Sequence, residues 1–324
     1  MERISGVNNW KLVIRREENG ITILRAATCD VRAALPGELF GLPVTALGDH
    51  VLTPGRHPPE GEEVLVTCGP GDGETWDNGA LTDLTLPESL EQVGDYGFFN
   101  CTKLKTLRLR DTVRRWGGGA LMNCRALDTF HITASGAEGE LMAYFAGELP
   151  RELDMTLRRV DGETVRLIFP EYVEVYEENC PAHHFDYNIY GAGYGYHHCF
   201  YQKKLNIKAY DELWRPMLAM EHDEDCALRL AWWRLRYPVE LTEKAEAAYL
   251  AYLEDHAAEA LRWLLGERDT AGLAFLLERT APDRETLTAA CALARETGAE
   301  EAQAILLEEQ HRRFPAGLDK RFDL

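Results

Sequence analysis

A pattern of apolar residues that recurs every 23 positions occupies residues 80–133. The first copy contains Leu81, Leu84, Leu86, Leu90, Val93-Gly94, Phe98 and Asn100-Cys101, and the second contains Leu104, Leu107, Leu109, Val113, Trp116-Gly117, Leu121 and Asn123-Cys124. A third copy opens with Leu127, Phe130 and Ile132. A fixed period of this length indicates stacked repeats, because one copy alone cannot bury its apolar face.

Each repeat is expected to contribute one short strand. Leucines alternate with polar residues in Leu84-Thr85-Leu86 and Leu107-Arg108-Leu109, which is the period of a strand with one buried face. Stacking these strands in parallel gives a leucine-rich solenoid. The same spacing extends to Leu153 and Met155, so we expect two buried columns. They are Leu84, Leu107, Phe130 and Leu153, and Leu86, Leu109, Ile132 and Met155.

The repeat resembles the BspA-type leucine-rich repeats of bacterial proteins. The residues that carry the resemblance are Leu86-Pro87, Leu90, Val93-Gly94, Phe98, Asn100-Cys101 and Leu104, and residues 41–48 look like the capping repeat of that family. The resemblance implies a solenoid that binds other proteins, and it brings no catalytic residues. Gly48 and Gly94 are two repeat lengths apart, which allows a degenerate repeat between them.

The N-terminal part should cap the repeats with a β-hairpin. Two alternating runs, residues 10–15 and 21–24, flank Asn19-Gly20, a pair typical of tight hairpin turns. Residues 53–79 are rich in proline and glycine and indicate a loop, with one further strand rung allowed at residues 64–66. Together with a second hairpin at Asp161-Gly162, this predicts a first domain over residues 1–170.

The solvent-facing side of the strands is the predicted partner-binding surface. Period-2 alternation places outward a set of short or charged side chains, namely Asp83, Thr85, Pro87, Thr106, Arg108, Arg110, Thr129, His131 and Asp154. Thr85, Arg108, His131 and Asp154 should form one ladder. Acidic residues precede Thr102 and basic residues follow it, so either an acidic partner segment binds there or neighbouring repeats simply attract one another.

Residues 171–209 form a connecting segment rich in tyrosine, histidine and glycine. Gly191, Gly193 and Gly195 are expected to form a loop, since the dinucleotide-binding pattern needs a further glycine and a following helix. Four residues could act as zinc ligands, and they are Cys180, His183, His197 and Cys199. Because their spacing matches no recognised zinc motif, we predict an aromatic loop without metal; a tyrosine-lined ligand pocket is the alternative.

Residues 210–324 are expected to form an all-α helical-repeat domain. The predicted helices are Ala209–Met220, Glu224–Arg236, Thr242–Leu253, His256–Leu265, Thr270–Arg279, Arg284–Glu296 and Ala299–Arg313. Residues 293–308 are similar to the helix-turn-helix of ankyrin repeats, although the T-P-L-H signature of that family is missing. The complete fold class is therefore α+β, with a strand-rich repeat domain followed by helices.

Composition limits the partners. A net charge of −19 argues against nucleic acid and anionic membranes, which both require a basic surface. The first ten residues lack an apolar signal core, which predicts a cytoplasmic protein. Cys101 and Cys124 share a repeat position and are expected to be buried thiols, with a disulfide as the alternative. The sequence thus predicts a non-enzymatic protein-binding scaffold without a cofactor; a ligand- or metal-binding protein or enzyme that uses residues 180–201 is the alternative.

Overall fold

The computed structural model describes residues 2–68, 76–136, 139–179 and 183–315. The chain forms two compact units, Met1–His222 and Asp223–Leu324. The domain limits that the sequence suggested at residues 170 and 209 stay a prediction. The first unit contains the strands β1 (Glu2–Ser5), β2 (Trp10–Glu17), β3 (Gly20–Ala27), β4 (Arg32–Ala34), β5 (Glu38–Leu39), β6 (Leu42–Leu47), β7 (Glu62–Thr67), β8 (Asp83–Thr85), β9 (Gln92–Val93), β10 (Thr106–Arg110), β11 (Arg115–Trp116), β12 (Thr129–Thr133), β13 (Leu153–Arg158), β14 (Thr164–Phe169), β15 (Val173–Asn179), β16 (His184–Tyr190), β17 (Phe200–Tyr201) and β18 (Lys204–Leu205).

The helices are distributed over both units. The first unit holds α1 (Glu140–Glu148), α2 (Gly193–His197), α3 (Ile207–Glu212) and α4 (Trp214–Leu218). The second unit holds α5 (Glu224–Arg236), α6 (Glu243–Asp255), α7 (Ala257–Glu267), α8 (Thr270–Arg279), α9 (Arg284–Glu296) and α10 (Glu300–Arg313). The fold is therefore mixed, with strands in the N-terminal region and helices towards the C-terminus.

Two sheets enclose the core of the first unit. One has the strand order β1-β7-β2-β3-β6-β9-β11, with β5 on β6, and the other has the order β14-β13-β12-β10-β8-β4. Each of the two clear repeats contributes one strand to each sheet, β8 with β9 and then β10 with β11, and these strands pair in parallel. The predicted β2–β3 hairpin is present, and β3 joins the repeats through its parallel pairing with β6.

The register of the parallel strands agrees with the 23-residue period up to β12. Leu107 lies between Leu84 on one side and Phe130 on the other, and all three are 0% exposed. The next step differs from the prediction, because Phe130 faces Met155 and not Leu153. Helix α1 replaces the usual return arc and lengthens this repeat. Since the shift is an even number of residues, Leu153 and Met155 still point into the core.

Two expectations for residues 41–94 had different outcomes: the degenerate repeat was wrong, whereas the strand at residues 64–66 is present at an unexpected position. Ala46 pairs with Gln92 and Leu47 with Val93, so β6 and β9 are direct neighbours and no degenerate repeat separates them in the sheet. Residues 64–66 do form a strand, but this strand, β7, lies between β1 and β2 at the far edge of the eight-stranded sheet. The alternation of apolar and polar residues predicts a strand but does not predict the strand beside which it pairs.

Close stacking of the turns requires glycine in the repeats. A Cβ atom added to Gly117 would lie 2.3 Å from the carbonyl carbon of Gly94, and one added to Gly94 would lie 2.6 Å from the carbonyl carbon of Gly48. No side chain can fit at such distances. Asp95 completes the turn stack, because its backbone N–H donates to Asp49 at 2.8 Å and its carboxylate accepts from Gly118 N–H at 2.8 Å.

A column of side-chain donors runs through the core of the repeats. Asn78, Cys101 and Cys124 occupy the same repeat position, and each donates to a buried backbone carbonyl. Both cysteines are free thiols in the core. Asn78 is 2% exposed and makes three side-chain hydrogen bonds, to Thr28 N–H, Ala26 C=O and Leu52 C=O. It ties the N-terminal sheet to the first repeat.

The connecting segment is more ordered than expected. Strands β15 and β16 pair as an antiparallel hairpin, and the expected glycine loop contains the short helix α2. Gly193 is required there, since a Cβ would lie 1.9 Å from the carbonyl oxygen of Pro170. The predicted helix Ala209–Met220 is split into α3 and α4. The ring of Pro216 lacks an N–H and would clash with the carbonyl of Glu212, where α3 ends.

The helices of the second unit agree closely with the sequence pattern. Three of them, α5, α8 and α9, have the predicted limits. Side chains of Thr242, Asp269 and Asp283 accept hydrogen bonds from the first turns of α6, α8 and α9. Gly298 has φ 67° between α9 and α10, as a helix C-terminus often requires. Leucines and alanines of α7 to α10 form the buried face.

Candidate protein-binding surface

The outer face of the six-stranded sheet carries the polar residues singled out in the sequence. Thr85, Arg108 and His131 lie side by side on β8, β10 and β12. The prediction that Asp154 is the fourth residue of this ladder was wrong. On β13, Thr156 lies beside His131, and Asp154 lies beside Thr129. This correction has the same origin as the shift in the core, namely the longer third repeat.

Exposure divides the predicted surface residues into three groups. Thr85 and Arg108 are exposed, whereas Thr106 is 8% exposed and Pro87 is buried. The half-buried group comprises Asp83, Arg110, Thr129, His131 and Asp154. Thr106 begins β10 between Asp83 and Thr129, whose side chains share its face. Thr106 and Pro87 were therefore wrongly placed on the surface.

The charges of this face are paired between neighbouring strands. The Arg108 guanidinium lies 3.9 Å from Asp83, and Arg166 makes two hydrogen bonds to Asp154, at 2.9 and 2.6 Å. At the end of β10, Arg110 lies 3.1 Å from Glu88, which follows β8. Exposed ion pairs such as the two made by Arg108 and Arg110 contribute at most about 1 kcal/mol each. These contacts agree with the alternative interpretation that neighbouring repeats attract one another.

His131 stands at the centre of the face. Burial lowers the pKa of His131, and the nearby Arg108 guanidinium lowers this pKa further, so the ring is neutral at pH 7. A neutral imidazole both donates and accepts one hydrogen bond. The face thus offers a cation, a hydroxyl and a neutral imidazole in a row.

Aromatic residues that the sequence analysis did not single out lie elsewhere in the first unit. Trp116 stacks on Tyr144 of α1 with ring centroids 5.3 Å apart, beside a cavity of about 710 Å³. On the β15–β16 hairpin, Tyr176 and Tyr187 contact each other at 4.8 Å and are exposed. Trp116 occupies the repeat position of Val93, and this large substitution is the sequence signal that could have revealed the cavity.

The four residues of the zinc alternative differ in their surroundings. Cys180 lies outside the described residues. His183 is exposed and lies 2.9 Å from Glu178, whereas Cys199 is buried and donates to Tyr196 C=O. Burial raises the pKa of the Cys199 thiol to about 12.

His197 is held inside the fold by two backbone carbonyls. Its Nδ1 atom lies 2.8 Å from Ala146 O and its Nε2 atom lies 2.9 Å from Pro170 O. Both ring nitrogens thus face carbonyl oxygens, and the neutral ring, which carries one N–H, donates to one of them. Burial lowers the pKa of His197 more than the two carbonyls raise it. Its structural role is to connect α1 with the end of β14.

Within the parts of the chain that the structure covers, no three histidine, cysteine or acidic side chains are grouped to hold a metal ion. The absence of zinc remains a prediction, because Cys180 is not among them. The described helices are also too short or too polar to cross a bilayer.

Comparisons with known proteins concern the repeat region. The chain matches no curated protein. Among solved structures it is similar to the leucine-rich repeat protein TpLRR of T. pallidum, with 18% identity, a TM-score of 0.25 and coverage of 40% of this chain and 53% of that one. A leucine-rich cell surface protein of Faecalibacterium prausnitzii A2-165 gives 19% identity, a TM-score of 0.27 and coverage of 44% and 33%. This chain therefore spans about half of the first protein and a third of the second.

A family model gives the assignment of the repeats. The BspA type leucine-rich repeat region matches residues 73–144 in six copies. These residues include β8 to β12, the turns with Gly94 and Gly117, and the start of α1. The resemblance predicted from the sequence is confirmed, since residues 73–144 match the model of BspA type leucine-rich repeats.

Proposed function

We propose that this chain is a non-enzymatic scaffold that binds a partner protein through the outer face of the six-stranded sheet. The observation that supports this proposal most directly is the row of Thr85, Arg108 and His131 across three parallel strands of a BspA-type repeat region. Leucine-rich repeats stack into a solenoid, and such stacks present extended surfaces to other proteins. The partner is of unknown identity.

The chemistry of the face indicates a polar partner segment. Arg108 supplies an exposed guanidinium, which binds carboxylates with two hydrogen bonds. Aromatic side chains, which dominate tight interfaces, are missing from the described strand residues of this face. Binding should therefore be salt-sensitive, since charges at this surface are screened over about 8–10 Å at ordinary ionic strength.

The second unit supports the scaffold role in a different way. Helices α9 and α10 pack against each other after the turn at Gly298, as expected for the segment that resembles an ankyrin helix pair. We include ankyrin-like stacking of these helices in the proposal. A cytoplasmic location belongs to the proposal as well.

The test compares two charge-reversal variants of the full chain. One carries Arg108→Glu and Arg110→Glu on the sheet face, and the matched control carries Lys103→Glu and Arg125→Glu in exposed turns of the same repeats. Both variants change the net charge equally. Proteins captured from native extract by each are quantified by mass spectrometry, and the purified partner is then titrated at about 0.15 M and about 0.5 M salt.

We expect the sheet-face variant to lose the partner while the control retains it. Circular dichroism of both variants checks that the fold is intact. If the sheet-face variant captures the same proteins with the same salt dependence, the outer face is not the binding surface. Elemental analysis addresses the metal alternative: one zinc per chain that disappears in Cys180→Ser would favour it.

A further inference from the structure

We propose that the cavity beside β11 binds an extended peptide that carries a carboxylate, and that this peptide adds to β11 as the next strand of the sheet. The cavity has a volume of about 710 Å³, and its walls include Val113, Arg114, Trp116, Tyr144 and Lys203. Pockets of about 300–1,000 Å³ hold small molecules or short peptide segments. This site is separate from the sheet face with Thr85 and Arg108.

The backbone of the repeats shows where a strand is missing. Carbonyl oxygens of Glu91 and Val93 accept hydrogen bonds from the N–H groups of Arg114 and Gly117, both at 2.9 Å. Arg114 and Trp116 stand one repeat later in the same positions. Their own carbonyls receive no backbone N–H among the described residues.

Strand β11 is thus the open edge of the eight-stranded sheet. An open edge is a template for a further strand, and proteins use it to bind extended peptides. The opposite end of this repeat stack is different, since β3 of the N-terminal hairpin pairs with β6. The edge at β11 opens into the cavity, which Arg114, Arg115 and Trp116 line.

Two buried polar atoms at the cavity lack partners. Nε1 of Trp116 has no acceptor and Oδ2 of Asp111 has no donor within the described part of the chain. Asp111 is 8% exposed, and its other carboxylate oxygen is occupied by the backbone N–H and the hydroxyl of Ser135. Both atoms are closed off from solvent, so they belong to the wall behind the cavity and not to its opening.

The charge of the cavity rim defines the ligand further. Three cations, Arg114, Arg115 and Lys203, line it together with two carboxylates, Asp111 and Glu140, and Arg115 is held by the side chain of Gln92. Cations outnumber carboxylates in this lining, which favours a carboxylate on the peptide, supplied either by its C-terminus or by an acidic side chain. Val113 and Leu141 add apolar wall for a neighbouring side chain.

Peptide is favoured over a saccharide by the arrangement of the aromatic rings. Sugars bind on the open faces of aromatic rings, but Trp116 and Tyr144 are stacked on each other, and Phe145 contacts the Trp116 ring edge-on at 5.3 Å. The unpaired carbonyls of β11 also require donors at strand spacing. A peptide backbone provides this spacing.

The test measures binding of fluorescein-labelled tetrapeptides of alternating threonine and valine to the full chain by fluorescence polarisation. One peptide ends in a free carboxylate, one has an amidated end and an internal glutamate, and one has an amidated end and no acid. A fourth is the best binder with N-methylated backbone amides, which cannot donate to the carbonyls of Arg114 and Trp116. Glucuronic acid serves as the saccharide competitor.

We expect a carboxylate peptide to bind at least about tenfold more tightly than the neutral peptide, and N-methylation or Arg114→Glu with Lys203→Glu to remove this advantage. The first two peptides tell which source of the carboxylate is preferred. The control with Lys103→Glu and Arg125→Glu, and the sheet-face variant, should bind as the wild type does. No peptide binding up to about 1 mM, binding unaffected by N-methylation, or displacement by glucuronic acid alone would each overturn the proposal.

Discussion

Replacing Asn78 tests how the N-terminal sheet is fastened to the repeats. Its side chain accepts from Thr28 N–H at 2.8 Å and donates to Ala26 C=O at 2.8 Å and Leu52 C=O at 3.0 Å. All of this occurs at a site that is 2% exposed, with a left-handed backbone of φ 62°. In Asn78→Ala the amide and the two carbonyls lose these partners, and alanine must adopt a conformation that asparagine tolerates better.

The expected loss can be built from these contacts. An orphaned buried polar group costs about 1–3 kcal/mol, and the left-handed conformation costs alanine about 1–2 kcal/mol. Because the carbonyls can relax and share other donors, we expect Asn78→Ala to lower the free energy of unfolding by roughly 3–5 kcal/mol. Asn78→Gly should lose about 1 kcal/mol less, since glycine accepts positive φ. The difference between these variants isolates the backbone contribution.

Hydrogen exchange measured by mass spectrometry is the suitable assay, because the chain has two compact units. Opening free energies should fall in peptides covering β3 and β8, while helices α7 and α8 serve as an internal control. Asn19→Ala, in the exposed turn of the β2–β3 hairpin, is the matched control and should change stability by less than about 0.5 kcal/mol. A loss below about 1 kcal/mol for Asn78→Ala would refute this account of the fastening.

Three further predictions concern single side chains of the first unit. Leu107→Ala should cost roughly 2–5 kcal/mol, measured by urea unfolding, because Leu107 is fully buried between two repeats. Burial lowers the pKa of His197 below the usual 6.5. Folding stability should therefore decline as the pH falls below about 6.5, because the unfolded chain then takes up a proton that the folded chain does not. Thermal melts of His197→Gln at different pH values should lack this part of the pH dependence. Burial raises the pKa of Cys124 to about 12, so thiol-specific reagents should modify exposed Cys68 in the native chain and leave Cys124 unmodified until unfolding.

Much of the repeat region could be predicted because its signal is periodic. A 23-residue spacing of leucines fixes which residues share a column, and period 2 fixes which face is buried. The predicted partner of Phe130 in the next strand was wrong because that prediction relied on the same fixed period. A helix in place of an arc changes the length of a repeat without disturbing the alternation on either side, so Met155 took the position expected for Leu153.

The exposure of individual side chains was less predictable. Alternation places Thr106 on the outer face, yet the neighbouring residues Asp83 and Thr129 leave it 8% exposed. Asn78 escaped notice because its partners are backbone groups of Ala26, Thr28 and Leu52, far away in sequence. A residue that contributes only its backbone N–H or C=O to a hydrogen bond can have any side chain, so such a bond cannot be recognised from the sequence.

The cavity beside β11 follows from the same repeats that build the core. Stacked repeats satisfy the backbone of each strand only through the next copy, so a stack must cover its last strand or leave it open. Here the N-terminal hairpin covers one end through β3, while at the other end β11 is the last strand of its sheet and α1 packs on the Trp116 side chain. The helix closes the core with Phe145, which stacks on Phe130 at 4.1 Å, but it offers no N–H to the carbonyls of β11. Because a helix follows the last strand, the apolar interior is covered but the sheet has no further strand beside β11. We propose that a peptide fills this position.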